Sequence, residues 1–135
     1  MKFLPIAFCT LLLAAATAAC AQTKPGDLIA NVPFDFVVAG QPFPAGRYIV
    51  TREGDACVRI LNSQRRGLFV PTHPVIGSAA GVTKLEFHHY GDKYFLASIW
   101  LHGNATGQQL YPSRAEKELS HRKNEMEIAV VTPTN

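Results

Sequence analysis

Disulfide-forming capacity is the first thing this sequence lacks. Its 135 residues include three cysteines, and two of them, Cys9 and Cys20, lie in an apolar N-terminal run. Without that run Cys57 stands alone, so no internal disulfide forms and the fold must rest on its core. Charge is sparse too: 17% of residues are Asp, Glu, Lys or Arg, with a formal net charge of +3. So small and scattered an excess argues against a nucleic-acid protein, whose basic residues cluster. With 47% apolar residues, disorder is equally unsupported. The length allows one domain and excludes a multidomain enzyme.

Catalytic and ligand motifs are also missing. No G-x-S-x-G elbow surrounds any serine. Gly77-Ser78-Ala79-Ala80-Gly81 lacks the Lys-Ser/Thr that completes a phosphate loop, so it reads as a plain loop. No cofactor is predicted.

What is present begins with an address. Lys2 precedes an apolar stretch from Phe3 to Ala16, followed by the small residues Ala18-Ala19-Cys20-Ala21. This is the pattern of a signal peptide over 1–21, cut before Gln22. The stretch is shorter than the about 20 apolar residues of a membrane helix. The prediction is a periplasmic or secreted protein, not an integral membrane protein after cleavage. Cys20 offers an alternative as a lipidation site tethering the domain to a membrane, although Thr17 stands where that signal usually has Leu. Residues 22–27 read as a linker, 28–131 as a single β-rich domain and 132–135 as a loose tail.

All ten glycines and eight of nine prolines fall after residue 21. They punctuate short alternating segments. Ile29 to Val38 reads as one half-buried strand confined to an edge or bulge by Pro33. A turn at Pro42–Gly46 leads to a strand over Arg47–Arg52. Cys57–Leu61 and Leu68–Val70 form a hairpin around a polar tip. Lys84–Leu101 forms another, turning at Gly91-Asp92 with Tyr90 opposite Lys93. With that pairing Leu85, Phe87, His89, Tyr94, Leu96, Ser98 and Trp100 share the core face. Ser113-Arg114-Ala115-Glu116 matches a capping box opening a helix to His121. Glu125–Val131 reads as a last strand around Met126, Ile128 and Val130. The pattern predicts a mainly β fold: a small antiparallel sandwich or partly open barrel of about seven strands with one short C-terminal helix.

Three segments carry a resemblance. Asn31-Val32-Pro33-Phe34-Asp35-Phe36 (V-P-F-x-F), Pro44-Ala45-Gly46-Arg47-Tyr48 (P-A-G-x-Y) and Phe87 through Leu96 (F-x-x-Y-G-x-x-Y-F-L) look like the signatures of an uncharacterised family of small exported bacterial, acidobacterial-type proteins. The resemblance implies export and a β-rich fold, and it transfers no catalytic residue.

Candidate site residues are few. His73, His88 and His102 are weak metal candidates, because no zinc-type spacing appears and the adjacent His88 and His89 point to opposite faces of a strand. His73 is expected in a rigid loop between Pro71 and Pro74. Tyr48, Tyr90 and Phe95 could form an aromatic binding patch, unless the C-terminal helix covers them. Arg65 and Arg66 sit at a hairpin tip, where they could contact an anionic lipid, a polysaccharide or an acidic protein. Cys57 reads as a small buried hydrophobe. The expectation is a non-catalytic envelope module that binds a protein, polysaccharide or lipid. A histidine-dependent metal protein or hydrolase is the alternative, and a carrier of an apolar ligand a further one.

Overall fold

Alternation of apolar and polar residues builds most of the architecture. The computed structural model describes residues 27–77, 82–102, 106–122 and 125–134. The predicted signal segment, Cys20 and most of the 77–81 loop lie outside them. Strand β1 (Leu28–Val32) pairs antiparallel with β4 (Gly46–Arg52), which pairs with β5 (Cys57–Asn62), which pairs with β6 (Gly67–Ile76). In that register Leu28 opposes Val50, Val50 opposes Ile60 and Ile60 opposes Leu68. An apolar row therefore crosses four strands on one face, which is what alternation with period two delivers.

The sheet continues through β9 (Thr106–Leu110) to β8 (Lys93–Trp100). Strand β8 is flanked by β7 (Lys84–Tyr90) and, through one parallel pair, Val37 with Phe95, by β2 (Phe36–Val38). Beyond these lie β10 (Glu127–Val131) on β7 and β3 (Gln41–Phe43) on β2. Among the described residues there is one helix, α1, over Arg114–Arg122. The fold is thus mainly β with a short C-terminal helix, an open sheet that does not close into a barrel. Among the described residues it has ten strands rather than about seven. A single apolar cluster joins Leu28, Val50 and Ile60 from one end to Leu85, Phe87 and Ile99 from the other, so the sheet curls around its core.

Several local expectations are corrected. The segment over 29–38 is two strands, because the chain leaves β1 at Pro33 and re-enters the sheet at Phe36. Between β2 and β3 lies an unpredicted two-residue turn, Ala39-Gly40, with both φ angles positive (48° and 80°). Paired positive φ values suit the right-handed twist of a hairpin, and Gly40 supplies one of them without strain. His73 lies in β6, not in a loop. That strand pairs with β5 up to Pro71 and with β9 from Thr72 onward. Each half is paired on one side only, which leaves room for residues without an N–H.

The β7–β8 hairpin turns as expected, with Tyr90 opposite Lys93 and Gly91 at φ 63°. Its faces do not run as expected. Phe87 opposes Leu96 but Glu86 opposes Ser98, so Ala97 is an extra residue, a β-bulge. One residue of slip exchanges faces for everything beyond it. Ile99 consequently enters the core, while Ser98 and Trp100 join Glu86 on the outer face. Strand β10 is likewise out of the expected phase. Val131 opposes Leu85 and Ala129 opposes Phe87, so these face inward and Ile128 and Val130 stand 60% and 51% exposed. The tail is not loose at Thr134, whose N–H donates to the Ile29 carbonyl and whose hydroxyl accepts from the Asn31 N–H.

Candidate functional site

The outer face of β7–β8 departs most from a plain sheet surface. On it, Tyr90 and Phe95 are buried and in edge contact, ring centres 5.9 Å apart. Helix α1 covers them. Its first turn is capped on one side only: the Glu116 N–H donates to the Ser113 hydroxyl at 3.3 Å. The Glu116 carboxylate does not fold back to complete a capping box. It turns into the sheet, 6% exposed, with Oε1 2.6 Å from His88 Nδ1. A carboxylate oxygen accepts, so the Nδ1–H tautomer of His88 is the donor. Tyr90, two residues along the same face, has its hydroxyl pKa raised above 10.0 by burial first, then by the Glu116 charge and hydrogen bond. One acid thus engages two side chains of β7.

Glu, His and Tyr here are in contact. Tyr90 and Glu116 are buried, while the His88 side chain stays 27% exposed. The cluster is a clasp: it fixes α1 on the sheet, and a buried acid without such partners would be costly. A second outer-face group sits further along. Glu86 accepts from Ser98 Oγ at 2.8 Å and pairs with Lys84 Nζ at 2.8 Å. Burial pushes its carboxyl pKa up, but the Lys84 and Ser98 hydrogen bonds outweigh it, and the pKa lies below 4.5. Beyond it the Trp100 indole lies flat on Gly107, where a Cβ would come within 2.8 Å of the ring. Only glycine fits there.

Docking α1 in this way leaves clefts beside it. Ala115, Leu119, Glu118 and Arg122 face Val37, Gly40, Pro42, Lys93 and Phe95 across a groove of about 320 Å³. Adjoining it through Val37, Pro42 and Lys93 is a cleft of about 500 Å³ that reaches Asp35, Phe36, Phe43, Pro44, Asp92 and Tyr94. A third, of about 290 Å³, reaches Tyr48, Asn62, Arg66 and Leu68 and shares Pro42, Phe43 and Pro44 with the second. All three surround the β2–β3 hairpin and meet at Pro42.

Residues of the segments 31–36 and 44–48 help to build this belt. Asp35 Oδ1 accepts the Ala45 N–H at 2.8 Å, and the Tyr48 hydroxyl donates to the Pro44 carbonyl. Together they pin the Pro44–Gly46 turn against the start of β2. Phe36, Phe43 and Tyr48 pack ring to ring, with centres 5.1 to 5.8 Å apart.

The sequence candidates are thereby dispersed. Tyr48 belongs to the buried aromatic group and Tyr90 and Phe95 to the helix-covered face, so the three make no common patch. Arg65 and Arg66 are exposed at the β5–β6 tip, and Arg66 also borders the third cleft. His73 lies beside Tyr111 with ring centres 4.8 Å apart and planes tilted by 49°, His88 holds Glu116, and the His102 N–H donates to Thr83 Oγ1. Among the described residues no three His, Cys, Asp or Glu side chains gather as metal ligands. Cys57 is half-buried, its thiol donating weakly to the Val58 carbonyl. Lys93, Leu119 and Arg122 were missed. The only signal for them was the i, i+4 apolar pair Ala115 and Leu119, which says that the helix docks but not where.

Among the described residues no helix is long and apolar enough to cross a membrane. No family model, curated protein or solved structure matches the chain.

Proposed function

We propose that this chain is an exported, non-catalytic β-domain of the bacterial cell envelope, and that it binds through the belt of clefts around the β2–β3 hairpin. The observation that carries the reading is the meeting of three clefts at Pro42, each with an apolar floor and a basic side chain at its rim. Concave apolar surface with a few placed charges is the usual form of a binding site. In this reading the curled sheet serves as a sandwich-like scaffold, and α1 is one wall of the site. Among the described residues no three His, Cys, Asp or Glu side chains gather to support a histidine-dependent metal protein.

Two measurements test this. Cell fractionation with mass spectrometry of the mature N-terminus should find the protein outside the cytoplasm, beginning at Gln22 or at a lipidated Cys20. A cytoplasmic protein retaining Met1 would overturn export. Envelope extract passed over immobilised wild-type protein and a Pro42→Arg variant should leave bound material on the first alone. Equal capture by both would overturn the belt as the binding surface.

A further inference from the structure

The groove between α1 and the β2–β3 hairpin carries a charge pattern that specifies its ligand more closely. Its floor is apolar, formed by Val37, Pro42, Phe95, Ala115 and Leu119. Three charged side chains reach it. Glu118 is matched on the helix by Arg114, with Nε to Oε1 at 3.4 Å. Lys93 and Arg122 make no ion pair among the described residues. The groove therefore offers unbalanced positive charge beside apolar surface left open at Val37, Pro42, Ala115 and Leu119, with the buried Phe95 beneath.

The geometry points to a single-chain anionic amphiphile of the fatty-acid type, its carboxylate taken by Lys93 and Arg122 and its chain laid over Val37, Pro42 and Leu119. This deepens the binding reading above and rests on it. A neutral apolar ligand leaves both cations without a partner. A small inorganic anion leaves the floor in water. A chain with one terminal carboxylate satisfies both, and the about 320 Å³ of the groove lies at the lower end of the usual range for small-ligand sites. Guanidinium and ammonium donors to a carboxylate make the stronger class of hydrogen bond.

The test is titration of the purified protein with dodecanoate, dodecanol and dodecyltrimethylammonium, each below its micellar concentration, followed by calorimetry and by methyl shifts of Ala115 and Leu119. Dodecanoate should bind, dodecanol should bind about fivefold more weakly or worse, and the cation not at all. Lys93→Gln and Arg122→Gln are exposed changes that leave the core intact. Each should weaken dodecanoate about fivefold and leave dodecanol unmoved, since a partly exposed charge contact contributes about 1 kcal/mol. Equal binding of dodecanoate and dodecanol, or indifference to both substitutions, overturns the anionic assignment. Failure of all three probes overturns it as well. The parent reading then fails too only if Pro42→Arg captures envelope material as wild type does.

Discussion

Two tyrosines are buried to nearly the same degree and held in opposite ways. Tyr48 lies in the aromatic core of the sheet, and its hydroxyl donates to the Pro44 carbonyl four residues earlier in the chain. Tyr90 lies on the outer face, and its polar neighbour is Glu116, on a helix 26 residues later. The first arrangement closes within one turn of chain. The second exists only while α1 is docked. Apolar packing and local backbone hydrogen bonds therefore define the inner region, while the outer region depends on one buried acid shared by His88 and Tyr90.

This difference is testable in order of expected size. Phe87, wholly buried at the centre of the inner cluster, should be the most costly side chain to truncate. Phe87→Ala should remove about 3–5 kcal/mol of stability in denaturant titration, enough to unfold a marginal domain. Glu116→Gln keeps the shape of the clasp but removes its charge, and should cost about 1–3 kcal/mol. Hydrogen exchange should show the loss concentrated in α1 and the outer edge of β7, with β1, β4 and β5 protected as before; uniform loss would dissolve the distinction between the regions.

Alkaline pH separates the tyrosines themselves. Both hydroxyl pKa values are raised from 10.0, chiefly by burial, with Asp35 adding to Tyr48 and Glu116 to Tyr90. A folded value above the unfolded one means stability that is complete below pH 10.0 and lost as pH rises through the folded value. Tyr90→Phe and Tyr48→Phe should each flatten part of that alkaline loss. Glu116→Gln should lower the phenolate transition of Tyr90 and leave that of Tyr48 in place, as read from tyrosinate absorbance. The smallest effect belongs to the Ala39-Gly40 turn. Ala39 is held at φ 48°, so Ala39→Gly should stabilise by about 0.5–1 kcal/mol in the same denaturant assay.

Much of the inner region was legible. The Gly91-Asp92 turn, the hairpin over Cys57–Val70 and the alternation around Tyr48 and Val50 follow from period-two patterning and turn chemistry, which are local. The Ser113 cap was legible for the same reason. What escaped depends on contacts distant in sequence. The bulge at Ala97 leaves no mark in the apolar pattern, because Ser98, Ile99 and Trp100 can be assigned to either face until the pairing with β7 is known. Met126, Ile128 and Val130 outnumber Ala129 and Val131 in apolar bulk, yet the register on β7 turns the smaller set inward. Pro71 and Pro74 signal a loop by propensity, and only the change of partner along β6 makes them strand residues. The capping box at Ser113–Glu116 is a local motif; the contact of Glu116 with His88 spans 28 positions and has no local signature.

The two hydrogen bonds between Thr134 and β1 bring the last described residues alongside the first strand of the domain. A short peptide bridge could therefore join Thr134 to Asp27, with new ends opened at the exposed Gln64–Arg66 tip, and the rearranged chain should keep its topology. The same adjacency lets the domain be grafted into a surface loop of a host protein through two neighbouring attachment points.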